Sequence, residues 1–342
     1  MWGQRPGQPL RVRFQFLWSI DRTSLVTKKR VTKARNFSII GPTASGKTAA
    51  ATALARRHSD VELVSIDAMA VYRGLDIGTA KPNAEEREGL IWHCIDLVEP
   101  TEEFSVAQFQ REFQSAVAQI ADRGHRAIFV GGTGLYHRAA VDGLELAGRY
   151  EDIAAGLEAR ANLPGGAHEL YLELKELDPV AASKINATNV RRIVRALEVT
   201  LGSGRLFSSF GMGMTVYGTT EVPIIGLAIS RAQLQSRIER RLATQLEAGF
   251  VDEVKGVIGR PGQLSKTAAQ ALGYRELVDF LEDRTTYEEA IALIISRTKR
   301  FAKRQEAWFR RDPRVIWMDA LTDDLVDRLD LVFCASLPAE PK

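Results

Sequence analysis

Residues 37–48 read FSIIGPTASGKT, a short apolar run that breaks at Gly41 into a glycine-bounded loop and then into helix formers. Phe37–Ile40 has the length and character of a buried strand. Gly41-Pro42-Thr43-Ala44-Ser45-Gly46-Lys47-Thr48 fits G-x-x-x-x-G-K-[ST] without a mismatch. Thr48–His58, rich in Ala, follows as a helix. Strand, loop and helix in that order are the context in which such a loop binds phosphate. The glycines let backbone N–H groups curl around phosphate oxygens. Lys47 adds a point charge, Thr48 can hold Mg²⁺, and the helix N-terminus adds the positive end of its dipole.

Outward from this loop, Val61–Ser65 reads as a second strand, ending at Asp67. Ser105–Arg123 carries helical periodicity through Val106, Phe109, Phe113, Val117 and Ile120, and Gly124 stops it. Ala127–Val130 is a third strand running into Gly131-Gly132. Strands separated by helix-length segments imply an α/β fold, a doubly wound parallel sheet with crossover helices. From Leu144 the texture becomes helical, with a break at Pro164-Gly165-Gly166. Asn189 is placed to cap a helix from Val190 to Leu201, closed by Gly202. Val222–Ile229 is a further strand, and Ser230 with Gln233 is a capping-box signature for a long helix. The remainder to about Arg311 reads as helical. The expected organisation is a basic extension (1–36), a core (37–143 and 187–320), a helical insert (144–186) and a C-terminal tail (321–342).

The chain has 342 residues, more than a single compact core usually holds. Hydrophobic content of 45% and charged content of 26% suit an ordinary globular protein and exclude wholesale disorder. No apolar run reaches the ~18 residues of a membrane-spanning helix. Cys94 and Cys334 are the only cysteines, which excludes a disulfide framework and a Cys-based zinc site and suits a reducing cytoplasm. Residues 1–36 hold nine Lys or Arg against Asp21, a balance of +8, leaving −5 of the overall +3 for the rest. The basic excess therefore sits in an N-terminal arm and does not by itself signal nucleic-acid binding. The arm lacks a secretory h-region; it reads as a disordered extension, an upstream start or an organelle transit peptide.

P-loop ATPases place an aspartate at the end of a later strand to support the metal. Here the third strand leads into Gly131-Gly132-Thr133-Gly134, and the acid stands instead at Asp67. Ligands of a doubly wound sheet bind beyond the carboxyl ends of its strands, so Asp67 and Thr133 should face the crevice that Lys47 faces. Asp67 suits a general base on an acceptor group, or a helix cap or outer metal ligand. Ser296–Arg311 holds seven basic residues against Glu306 beside Phe301 and Trp308, the footprint of an RNA-backbone site or of a solvated face. Arg191, Arg192 and Arg195 carry the same ambiguity. Arg237 and Arg241, four apart on one helix face, either clamp an anion or pair with acids such as Glu239. The five histidines, His58, His93, His125, His137 and His168, show no metal-ligand spacing.

Together these pieces resemble the tRNA dimethylallyltransferase (tRNA isopentenyltransferase) family. The matching motifs are GPTASGKT (41–48), SIDAMAVYRGLDIGTAKP (65–82), FVGGTGLY (129–136), RRIVRALEVT (191–200), RIERRL (237–242), QALGYREL (270–277) and TKRFAKRQEAWFR (298–310). They stand in the family's order and cover roughly residues 37–318. The resemblance implies transfer of a dimethylallyl group from dimethylallyl diphosphate to N6 of the adenosine 3′ of the anticodon, with Mg²⁺. It makes Asp67 the general base. Thr43 to Thr48 hold the diphosphate and metal, Arg241 reaches the diphosphate, and Thr133 touches the target nucleotide.

The implied tRNA contacts are Asp67, Ala68, Met69 and Ala70; Arg191, Arg192, Ile193, Val194 and Arg195; Gln270, Gly273, Tyr274 and Arg275; and Thr298, Lys299, Arg300, Lys303, Arg304 and Gln305. The helical insert would grip the anticodon stem, and a cytoplasmic monomer is expected. Two departures stand out. Ala68 and Ala70 replace the polar pair of the family's Asp-Ser-x-Gln, and Ile185–Val190 lacks the Pro and Asp usual before the first basic cluster. The rivals are a prenyltransferase of free adenine nucleotides, a P-loop small-molecule kinase, and an RNA-binding protein with a decayed nucleotide site.

Overall fold

The computed structural model describes residues 36–210, 216–259 and 262–335. The expectations for the basic arm fall almost entirely outside these residues. Along the chain, β1 (Asn36–Ile40), α1 (Lys47–Ala55), β2 (Val61–Ile66), α2 (Ala84–Arg87), β3 (Trp92–His93), α3 (Val106–Asp122), β4 (Arg126–Gly131) and α4 (Gly134–Val141) form the first half. Four helices follow: α5 (Glu151–Ala161), α6 (Gly166–Leu177), α7 (Pro179–Lys184) and α8 (Val190–Ser203). Then come β5 (Ile224–Ala228), α9 (Arg231–Glu247), α10 (Phe250–Ile258), α11 (Tyr274–Leu281), α12 (Tyr287–Phe309), β6 (Val315–Asp319) and α13 (Leu325–Ala335).

The six strands make one all-parallel sheet in the order β3-β2-β4-β1-β5-β6. Its central strands are apolar on both sides because helices cover both faces. The two-residue alternation of β2 and β4 sorts their side chains between two cores. Val64, Ile66, Ala127 and Phe129 face a layer that includes Phe109 and Phe113 of α3, Phe250 and Val254 of α10 and Leu277 of α11. Leu63, Ile128 and Val130 face the other way, onto Leu54 of α1 and Leu329 and Phe333 of α13. Capping is local and legible: Ser105 and Gln108 form a reciprocal box at the start of α3, as Thr286 and Glu289 do for α12.

Four boundaries differ from the sequence reading. The stretch after Ala320 is not a tail, because α13 buries Leu325, Leu329 and Phe333 against α1 and β1. Burial of each such side chain is worth ~1.5–3 kcal/mol. Its acid-rich surroundings (Asp323, Asp324, Asp327, Asp330) mask the i, i+4, i+8 apolar stripe. The edge strand β6 goes unplaced in that reading, although Val315-Ile316-Trp317-Met318 is an apolar run of strand formers. Gly202 does not close α8, which continues to Ser203 and is capped by Gly204 in the left-handed region at φ 68°. Lastly, α8 packs Ile193, Val194, Ala196 and Leu197 against Leu157, Leu170, Leu174 and Ile185. The helical unit thus has its own core, and a boundary at 186 cuts through it.

One buried histidine makes stability pH-dependent. His137 of α4 bonds Ser38 of β1 (3.0 Å) and lies against the ring of Phe309. Burial lowers its pKa to about 4, with Asp142 and Asp312 opposing and Arg314 and Arg138 assisting. The unfolded chain protonates this imidazole near pH 6.5. Between these values the unfolded state binds the extra proton. Stability is therefore complete above pH 6.5 and declines as pH falls toward 4, by up to ~3 kcal/mol. Melting curves of the wild type and His137→Gln at pH 7 and pH 5 check this: the variant loses less on acidification. Equal losses would contradict it.

Candidate functional site

The strand ends build the site. β1 enters the phosphate loop, β2 delivers Asp67, and β4 delivers Gly131-Gly132-Thr133, all at the carboxyl edge where ligands of such sheets bind. Gly46 takes φ 94° at the mouth of α1, a conformation that glycine adopts without strain. Gly131 is needed for a different reason: a Cβ there would stand 1.9 Å from the Ile66 carbonyl oxygen. Its absence brings the ends of β2 and β4 together. Thr133 Oγ1 then accepts from the Ala68 amide (3.1 Å), while Asp67 Oδ1 accepts from Met69 (2.8 Å), fixing the carboxylate's direction.

The loop is braced from both sides. Arg237 Nε of α9 donates to the Ala44 carbonyl (2.8 Å), and Gln305 of α12 accepts from the Thr43 amide (2.8 Å). The Lys47 ammonium donates to the Pro42 carbonyl (2.7 Å). Burial lowers the pKa of Lys47 to about 7, with Asp67 opposing and Arg241 assisting. Arg241 donates to the Thr79 carbonyl (3.1 Å) and is itself lowered by burial, with Asp67 again opposing. Lys47, Arg241 and Asp67 thus form one electrostatic cluster. The two alternatives for Arg237 and Arg241 separate accordingly: both turn to the crevice, and Glu239 pairs with Lys299 (2.8 Å).

The crevice measures about 1020 Å³ and is walled by Lys47 and Thr48, by Arg237, Arg240 and Arg241 of α9, and by the 76–84 segment. What shapes that segment lies outside the residues singled out from sequence. Glu253 accepts from three consecutive amides, Asp76 (2.8 Å), Ile77 (2.7 Å) and Gly78 (3.0 Å). Lys81, its side chain fully buried, bonds the Tyr72 carbonyl (2.6 Å), Asp76 (2.5 Å) and Asp96 (2.6 Å). A lysine standing among acids inside the 65–82 motif is the available signal. Tyr136, which closes the 129–136 motif, is buried with its ring stacked on Phe109 (centroids 4.3 Å apart). Burial raises its phenol pKa, with Tyr72 and the Asp67 carboxylate adding to the rise.

Several residues expected to touch RNA are instead structural. Ile193 and Val194 are core (0% and 6% exposed), and Ala70 is buried. Tyr274 is 1% exposed and gives its hydroxyl to Glu253 (2.5 Å); Gly273, beside it, is buried too. Arg195 holds the Ala147 and Gly148 carbonyls (2.8 and 3.0 Å) and Glu198 (2.7 Å). Gln305 is turned inward to the loop. Helical period explains the outcome: a contiguous motif on a helix must send about half its residues into the core. Arg191, Arg192, Gln270, Arg275, Arg300, Lys303 and Arg304 are exposed; Ala68, Met69 and Thr298 are half-buried, and Lys299 is ion-paired. Among the described residues, no helix is long and apolar enough to cross a membrane.

A family model described as IPP transferase matches residues 70–312. The chain is 43% identical over 298 residues to the tRNA dimethylallyltransferase of Bifidobacterium animalis, covering 86% of this chain and 85% of that one. It is 44% identical to that of Kineococcus radiotolerans, covering 86% and 93%. The crystal structure of the tRNA isopentenylpyrophosphate transferase from Bacillus halodurans superposes with a TM-score of 0.65 at 37% identity, covering 89% and 97%. Neither the small-molecule kinase nor the free-nucleotide prenyltransferase finds support among these relatives.

Proposed function

The chain belongs to the IPP transferase family, and from that premise we propose that it transfers a dimethylallyl group from dimethylallyl diphosphate to N6 of the adenosine 3′ of the anticodon in tRNA. One observation carries the reading. The Asp67 carboxylate stands close enough to Lys47 and Arg241, both on the crevice wall, for its charge to act on each, while β4 ends in Gly-Gly-Thr rather than an acid. The loop then suits a diphosphate that leaves intact, and the carboxylate suits a proton acceptor.

In the reaction the N6 lone pair attacks the allylic carbon, and the carbon–oxygen bond pair departs with the diphosphate. The N6 proton passes to Asp67. Lys47, Arg241 and the loop amides stabilise the charge growing on the leaving group. Thr133, tied to the Ala68 amide, lies where it can orient the target base, which must leave its stack to enter. The Thr48 hydroxyl, with phosphate oxygens and water, is an oxygen donor set that fits Mg²⁺, whose contribution would be charge neutralisation. Arg191, Arg192, Arg275, Arg300, Lys303 and Arg304 offer exposed cations to the tRNA backbone. We assign the helical unit to the anticodon stem, the protein to the cytoplasm and its working state to a monomer.

Acceptor choice tests this directly. With dimethylallyl diphosphate and Mg²⁺, unmodified tRNA is prenylated, and AMP, ADP and ATP are not; efficient prenylation of a free nucleotide would overturn the reading. Donor binding also reports on Lys47. A diphosphate favours the ammonium form, so below pH 7 the charge is already present and above it binding recruits a proton. Calorimetry at pH 8 in buffers of different ionisation enthalpy should show proton uptake, with affinity falling as pH rises. Binding without proton uptake would contradict the assignment.

A further inference from the structure

Gln305 is the single polar member of the buried face of α12, whose other members are Ala290, Ile294, Ala302 and Phe309. It is 7% exposed, although Lys303 and Arg304 beside it point outward. Its amide is used at both poles. Oε1 accepts from the Thr43 N–H (2.8 Å), and Nε2 donates to the Gly132 carbonyl (2.9 Å). Those two backbone groups fix which pole is which, because an N–H can only donate and a carbonyl can only accept. There is no slack in the contact: a Cβ on Gly132 would stand 2.3 Å from Nε2. One side chain therefore joins the phosphate loop, the end of β4 one residue before Thr133, and the helix that carries the exposed Arg300, Lys303 and Arg304.

We propose that Gln305 is a positioning residue for the diphosphate loop, holding the Thr43 turn against the end of β4, and that it does not contact RNA. The inference rests on the loop being the donor site. Removing the amide leaves a part-buried N–H and a buried carbonyl without partners, which costs more than the net worth of the bonds themselves. The loop then relaxes away from the curvature that presents its amides to phosphate. A carboxylate at this position accepts from Thr43 but repels the Gly132 carbonyl and any bound diphosphate. A neutral carboxyl, by contrast, reproduces both bonds.

The test uses the full-length protein and Gln305→Leu and Gln305→Glu. Calorimetry measures dimethylallyl diphosphate and, separately, inorganic pyrophosphate, each with Mg²⁺ and without RNA. Filter binding measures unmodified tRNA. Gln305→Leu should weaken both diphosphates about tenfold or more, raise the donor KM, and leave the tRNA Kd unchanged. Gln305→Glu should be weaker still at pH 8 and recover relative to wild type as pH is lowered toward 6; this profile decides the matter if the leucine variant does not fold. Unchanged donor affinity in Gln305→Leu, or lost tRNA affinity with donor binding intact, overturns the proposal. So does a Gln305→Glu defect that is independent of pH. Failure of the wild type to bind either diphosphate would overturn the donor reading of the loop and this inference with it.

Discussion

Asp67→Asn should lower single-turnover dimethylallyl transfer by about 10²–10⁴-fold, the usual worth of a general base. The substitution isolates that role. Asn retains an oxygen that can accept from the Met69 amide, the bond that orients Asp67 (2.8 Å), so the turn after β2 keeps its geometry. What disappears is the capacity to take the N6 proton. A negative charge beside Lys47 and Arg241 also goes, which should leave the donor bound at least as tightly. Rapid-quench assays with saturating donor and tRNA separate the two effects. Transfer at near the wild-type rate would remove Asp67 from the base role.

Arg241→Ala should weaken the prenyl donor and slow transfer together, each by about 10- to 100-fold, the value of a charge-assisted hydrogen bond. Arg241 borders the buried stripe of Leu234, Ile238 and Leu242 on α9, seven residues on from Leu234 and so nearly in line with it. Its bond should strengthen as the diphosphate departs, so the rate falls beyond what affinity explains. Because Arg241 also holds the Thr79 carbonyl (3.1 Å), Arg241→Lys is the matched control for loop support. Affinity for tRNA should stay near wild type. Weakened tRNA binding with donor affinity and chemistry untouched would place Arg241 on the RNA surface instead.

Elements with strong local signals are legible in the sequence itself. The loop at 41–48, the strands that end at Asp67 and Gly131, and the caps at Asn189 and Ser230 stand where the pattern puts them. What the pattern does not carry depends on distant partners. β3 is two residues long and exists only because β2 offers it an edge. β6 is paired on one side only, by β5 at the sheet edge, and the apolar stripe of α13 has meaning only against α1. The candidate site divides the same way. Lys47 and Asp67 follow from strand-end chemistry, whereas the inward turn of Gln305, Tyr274 and Ile193 depends on which face of each helix meets the core. Glu253 accepts from amides 175–177 residues away, a pairing that no local pattern encodes.

The most direct test of the central claim is nucleoside mass analysis after reaction. Unmodified tRNA is incubated with the protein, dimethylallyl diphosphate and Mg²⁺, then digested and mapped. The account predicts one adenosine per acceptor tRNA heavier by a single dimethylallyl group, at N6, immediately 3′ of the anticodon, with one pyrophosphate released for each group transferred. Pyrophosphate release without a modified adenosine, or a prenyl group at another nucleoside, would contradict it.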